Sequence, residues 1–206
     1  MMQEKNRVHR PKQKRSEETQ KKILATARKL FCRDGYYQTT TNNIAAEAGI
    51  SVGNLYFYYP NKKTIFMNII SDYSKSFLEI HESFRFKLEQ GKTDSESFLR
   101  SFTESVVKNH EREKELNREF MIVSCKDPDV ASVARSMEKR TLESITDFLS
   151  SVDTLLRVTD IRKAAEVVYT FIDAAAHRIL FSDLSDEDSE RLISGSVEAV
   201  CLYLFK

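Results

Sequence analysis

The 206 residues, 41% of them apolar, are enough for one or two small domains with a real core. Five glycines and three prolines leave few breaks, so long helices are expected, and no apolar run approaches the ~18 residues of a membrane span. The formal net charge of +1 hides a division: Met1 to Lys63 holds thirteen Lys and Arg against five Asp and Glu, a net of +8, and the remainder is −7, which suits a nucleic-acid end and a separate acidic body.

In chain order, residues 1–15 form a charged tail without periodicity, interrupted by Pro11 and expected to be flexible. A basic arm of this kind can reach a DNA minor groove. Ser16 is the expected cap of the first helix, whose apolar face is Ile23, Leu24, Ala27, Leu30 and Phe31 and whose stop is Gly35. The stretch Thr39 to Lys63, TTTNNIAAEAGISVGNLYFYYPNKK, then reads as helix, tight turn, short helix, stop and new helix. Thr40 or Thr41 caps the first of these, and Ile44, Ala45 and Ala48 form its apolar stripe. Gly49 ends it in a left-handed conformation, and Ile50 fills the turn. Ser51 caps the second, with Leu55, Tyr59 and Val52 inward and Gly53, Asn54 and Phe57 outward, flanked by Tyr56 and Tyr58. Pro60 stops it and Asn61 caps the new helix.

That order of elements presents one helix to a DNA major groove. On the outward face, Gly53 permits close backbone approach and Asn54 can donate and accept at a base edge or phosphate. Tyr56 and Tyr58 combine a flat apolar body with a hydroxyl, and Lys62 opens a helix where free N–H groups also favour phosphate. The competing reading is a short aromatic helix packed in a core.

From Lys62 a long helix runs toward Gln90 on Ile65, Phe66, Ile69, Ile70, Tyr73, Phe77, Ile80 and Phe84. Thr93 to Glu96 resembles a capping box, and Phe98, Leu99, Phe102, Val106 and Val107 carry the next helix to about His110. Further helices are expected at Leu116 to Cys125, after the Asp127-Pro128 start as far as Ser151, from Asp160 to Phe181 behind a Thr159 cap, and from Ser185 to Phe205. No strand or repeat is visible.

Residues Lys21 to Ile69 resemble the DNA-binding domain of the TetR (tetracycline-repressor-like) family. The matching residues are Ile23-Leu24-x-x-Ala27, Leu30-Phe31, Gly35, Thr39-Thr40, Ile44-Ala45, Ala48-Gly49-Ile50-Ser51, Gly53-x-Leu55-Tyr56 and Tyr59-x-x-Lys62. Tyr58 stands where many members carry histidine, and Tyr59 replaces the usual phenylalanine. The resemblance implies DNA contacts near Thr41, Ser51, Gly53, Asn54, Tyr56, Tyr58 and Lys62 of a double-stranded operator. It also implies repression and a homodimer built from the last two helices. The architecture expected is all-α, about nine helices, with a flexible tail (1–15), a three-helix helix-turn-helix domain (16–63) and a helical effector and dimerisation domain (64–206).

Reading a palindrome needs two copies about a two-fold axis. The small-residue stripe Ala164, Val168, Ile172, Ala175 and Ile179, with Val197, Val200 and Leu204 of the last helix, is the expected dimer surface; ordinary core is the alternative. A small-molecule effector, apolar or amphipathic, is expected among the middle helices, with Tyr73, Phe77, Phe102, Phe120, Met121 and Tyr169 as wall or core. Asp173 and His177, four apart, either orient a ligand or satisfy each other, and Arg118 can receive a carboxylate. His110 is a further polar candidate on these helices.

Cys32, Cys125 and Cys201 are odd in number and widely spaced, which gives neither a disulfide framework nor metal-ligand spacing. They read as reduced, buried small hydrophobes, with Cys125 the candidate if any thiol senses redox state. No metal and no cofactor is expected. The N-terminus lacks the apolar core of a signal peptide, so a cytoplasmic protein without membrane contact is expected. No catalytic fingerprint is present, which disfavours an all-helical enzyme. An effector-independent DNA-binding accessory protein is the remaining alternative.

Overall fold

The computed structural model describes residues 10–89, 95–182 and 184–205. These hold α1 (Arg10–Asp34), α2 (Thr41–Glu47), α3 (Val52–Tyr58), α4 (Lys62–Glu89), α5 (Ser95–Arg112), α6 (Lys114–Ser124), α7 (Pro128–Ser151), α8 (Ile161–Phe181) and α9 (Asp186–Leu204). The expected all-α architecture is what the described residues form; they contain no strand, only an isolated bridge between Leu156 and Phe205. Residues 1–9 of the tail, Thr93 and Asp94 of the expected capping box, and the side chains of Phe77, Ile80 and Phe84 lie outside the described residues.

Several boundaries obey the local chemistry. Asp127 accepts from the N–H groups of Asp129 and Val130, with Pro128 in the first turn of α7 where no N–H partner is needed. Ser185 caps α9 through the N–H of Asp188. Asp160, rather than Thr159, caps α8 by accepting from the N–H of Lys163. Helix α1 begins at Arg10, so Ser16 lies inside it rather than at its cap. Pro11 tolerates this because the early N–H positions of a helix lack intrahelical acceptors.

Two apolar cores form. The first joins α1 (Ile23, Ala27, Leu30, Phe31), α2 (Ile44, Ala45), α3 (Leu55) and α4 (Ile65, Phe66, Ile69, Ile70, Tyr73) to Leu116, Phe120 and Val123 of α6 and Val130 of α7. The helix-turn-helix core therefore continues into the C-terminal helices across residue 63. Polar clamps run beside it: Arg28 pairs with Glu113, the Tyr36 N–H donates to Glu119 Oε2 at 2.8 Å, and Lys63 reaches Asp127 at 2.8 Å and also Asp129.

The second core packs Leu99, Phe102 and Val106 of α5 and Ile145 and Leu149 of α7 against α8 and α9. It absorbs most of the expected dimer surface. Ala164, Val168, Ile172, Val197, Val200 and Leu204 are buried in it, Ala175 is also buried, and Ile179 is partly buried. Close approach of small residues here serves α8 packing on α5, α7 and α9 of the same chain. The faces that α8 and α9 leave outward carry Phe171, 48% exposed, Phe181, and Leu202, 64% exposed, with Ala174 and Gly195 also exposed.

Candidate nucleic-acid interface and effector cavity

Thr40 caps α2: its hydroxyl accepts from the Asn43 N–H, and Asn43 Oδ1 accepts from the Thr40 N–H at 3.0 Å. Gly49, at φ 62°, turns the chain, and Ser51 caps α3 by accepting from the Asn54 N–H at 3.1 Å. Leu55 and Tyr59 hold α3 to the core. Tyr59 is already extended, as a residue before proline prefers, and Asn61 Oδ1 then caps α4 through the Thr64 N–H at 2.8 Å. Helical spacing puts Val52 inward with Leu55, but it is exposed. It is the first residue of α3, and the turn before it is filled by the half-buried Ile50 instead.

The outward face of α3 collects Ser51, Gly53, Asn54, Tyr56 and Phe57. Phe57 is 79% exposed, an expensive place for a phenyl ring in water, and Tyr58, half-buried, meets it edge-on at 5.1 Å. Tyr56 Oη lies 3.0 Å from the Thr41 hydroxyl, so α2 and α3 present these two groups together. A Cβ placed on Gly53 would meet nothing within 4 Å, so packing within the chain does not require the glycine. Lys62 departs from the phosphate-facing expectation. Its ammonium donates to the carbonyls of Tyr36 at 2.6 Å and Thr39 at 2.8 Å and sits over the Tyr36 ring, 4.3 Å from its centre. Burial lowers its pKa.

A cavity of about 240 Å³ opens between α4, α6, α7 and α8, with His110 of α5 on its wall. It brings together the expected Tyr73, Phe120, Met121, Tyr169, Asp173 and His177. Phe102 lies behind it, beside a small apolar void shared with Tyr169 and Asp173. Arg118 is exposed and lines neither space: with Leu116, Asn117, Phe120 and Val123 inward, it falls on the opposite side of α6. The cavity's cation is Arg135 of α7, which joins Met137, Glu138 and Thr141 as lining that the sequence did not reveal. The spacing of α7 marks its apolar face but not which rim meets α8.

The polar wall is specific. His110 is buried, with Nδ1 2.9 Å from the Val106 carbonyl, and burial lowers its pKa. His177 Nδ1 lies 3.1 Å from Asp173 Oδ2, a hydrogen bond that raises the His177 pKa. Burial pushes the phenols of Tyr73 and Tyr169 well up, so both remain neutral donors. Asn117 lines the same space, and its buried Nδ2 has no hydrogen-bond partner among the described residues. His110, Asp173 and His177, which the sequence did not bring together, each place one ligand atom within 4.8 Å of the others. Sequence spacing conceals this because His110 stands on another helix.

None of Cys32, Cys125 and Cys201 is in a disulfide. Cys125 is exposed and the others half-buried, which corrects the expectation that all three are buried. No helix among the described residues is long and apolar enough to cross a membrane.

Residues 23–69 match the family described as "Bacterial regulatory proteins, tetR family". The transcriptional regulator QacR of Staphylococcus aureus is 40% identical over 50 residues, 24% of this chain and 27% of its own. The fatty acid metabolism regulator protein of Bacillus subtilis is 32% identical over 68 residues, 33% of this chain and 34% of its own. The chain thus matches only about a third or less of these relatives' lengths. Over the whole fold, a TetR-family transcriptional regulator of Mesorhizobium loti superposes with a TM-score of 0.79 at 21% identity, covering 93% of this chain and 99% of that one. Salmonella enterica GusR gives 0.72 at 18% identity, covering 91% and 95%. Residues 23–69 thus match the TetR-family helix-turn-helix domain, and the chain as a whole shares the fold of the Mesorhizobium loti regulator.

Proposed function

We propose that this protein is a ligand-responsive transcriptional repressor that binds a near-palindromic operator as a homodimer. The observation that carries the reading is the outward face of α3, where Asn54, Tyr56 and the 79%-exposed Phe57 stand beside a glycine with open space above it. Asn54 supplies base-edge hydrogen bonds, Gly53 admits close approach, and Tyr56 with Thr41 reaches phosphate. Tyr58 and Ser51 flank them, and Lys62 acts by holding the α1–α2 loop against α4.

The dimer forms through the outward faces of α8 and α9, where Phe171, Ala174, Phe181, Gly195 and Leu202 supply an apolar, close-approach surface. The cavity receives a small amphipathic effector: its aromatic and methionine walls take an apolar body, and Asn117 Nδ2 asks for an acceptor. Helix α4 links the two sites. Tyr73, midway along α4, lines the cavity, and Lys62 and Lys63 in its first turn grip the α1–α2 loop and the start of α7. A shift of α4 on ligand entry changes the separation of the two reading helices, which must match major grooves ~34–36 Å apart. The open cavity favours this over an effector-independent accessory protein.

The test is an anisotropy titration of operator DNA with and without candidate amphipathic ligands. Two protomers per site and ligand-induced release support the proposal; DNA binding that no cavity-bound ligand alters overturns its ligand-responsive half.

A further inference from the structure

We propose that His110, Asp173 and His177 bind a first-row transition-metal dication, such as Zn²⁺ or Co²⁺, in the wall of the cavity. Two imidazoles and one carboxylate are a donor set that these ions accept, with coordination positions left over for water or a ligand oxygen. Metal–ligand bonds of about 2.0–2.2 Å require donor atoms roughly 3–4 Å apart. The three groups already offer one donor atom each, all within 4.8 Å of one another, close to that span.

The surroundings orient the donors. His110 Nδ1 meets the Val106 carbonyl at 2.9 Å; donating its proton there puts the lone pair on Nε2, as metal-bound histidines typically arrange. The His177 ring is held between two neighbours, edge-to-face with His110 at 5.4 Å and stacked on Phe181 at 5.9 Å. Asp173 supplies the negative charge that a partly buried dication needs, one turn before His177 on α8. Asn117 Nδ2, buried and without a partner among the described residues, lines the same cavity and can donate to an oxygen on the ion.

The ion would tie α5 to α8, the helices beside the effector cavity. Its binding does not depend on whether the chain binds DNA, and its test needs none. The full chain, freed of any affinity tag and stripped with chelator, is titrated with Zn²⁺ by calorimetry and with Co²⁺ by its d–d absorption. One equivalent per chain is expected, with no thiolate charge-transfer band. His177→Ala and Asp173→Asn, both at half-exposed positions, are each expected to weaken binding at least tenfold while leaving the helical circular dichroism unchanged. The proposal is overturned by the absence of saturable binding. It is equally overturned by stoichiometric binding that both variants retain, or by a thiolate band that Cys125→Ser abolishes.

Discussion

Lys62 Nζ lies 2.6 Å from the carbonyl oxygen of Tyr36 and 4.3 Å from the centre of the same residue's ring. With the Thr39 carbonyl at 2.8 Å, this fixes the α1–α2 loop to the first turn of α4. Lys62→Met removes the donor and leaves two carbonyls short of a partner. The expected cost is about 1–3 kcal/mol, read as a lower thermal midpoint. Unchanged stability with weakened DNA binding would instead make Lys62 a direct DNA contact.

Tyr56 and Asn54 separate two modes of contact. Under the proposed function Tyr56→Ala removes the hydroxyl assigned to phosphate and its contact with Thr41, so operator and random duplex should both lose affinity, by ~1–2 kcal/mol, about five- to thirtyfold. Asn54→Ala should relax base preference at one position of each half-site by ~1–3 kcal/mol. The Ser51 cap of α3 survives that change, because the Ser51 hydroxyl accepts from the Asn54 backbone N–H and not from its side chain.

The α8–α9 surface gives a paired prediction. Phe171→Glu and Leu202→Glu should yield folded monomers by sedimentation, because both side chains are exposed in the single chain. Ile172→Glu, one residue along, should unfold the protein, because it places an unpaired charge in the second core. Dimers that survive both exposed substitutions would move the interface elsewhere.

Acid stability tests the tie between α4 and α7. The hydrogen bond from Lys63 holds the Asp127 carboxyl below its usual value, aided by the backbone N–H groups of Asp129 and Val130. A carboxyl with a depressed folded pKa contributes stability above its unfolded pKa, near pH 4, and loses it as pH falls through the folded value. Asp127→Asn should therefore be less stable than the parent at neutral pH, with the difference shrinking below about pH 4. A difference independent of pH would reduce Asp127 to a helix cap.

Thiol labelling distinguishes the cysteines. Cys125 is exposed, whereas burial pushes the Cys32 thiol up. An aromatic disulfide reagent should modify Cys125 first, and Cys125→Ser should remove the fast phase.

Local chemistry made most of the helices legible. Gly49, Ser51, Pro60, Asn61, Asp127-Pro128 and Ser185 each do at their own position what their side chain or backbone dictates. The features that escaped depend on partners distant in sequence. Ala164, Val168 and Ile172 look alike whether the helix they meet is in the same chain or another. Arg118 and Arg135 differ in role only through the rotation of α6 and α7 about their axes. Lys62 opens a helix, as expected, but the carbonyls of the α1–α2 loop capture its ammonium. The union of His110 with Asp173 and His177 depends on α5 packing on α8, which no spacing encodes.

Sequence-specific recognition by α3 is the property on which the proposed function rests, and selection from a randomised duplex library by the purified protein tests it without intermediaries. Enrichment of one near-palindromic sequence is expected, with half-sites about one helical turn apart, bound by two protomers and lost from the Asn54→Ala, Tyr56→Ala double variant. Retention of all sequences alike, or the same enriched sequence from the double variant, would contradict recognition by this helix.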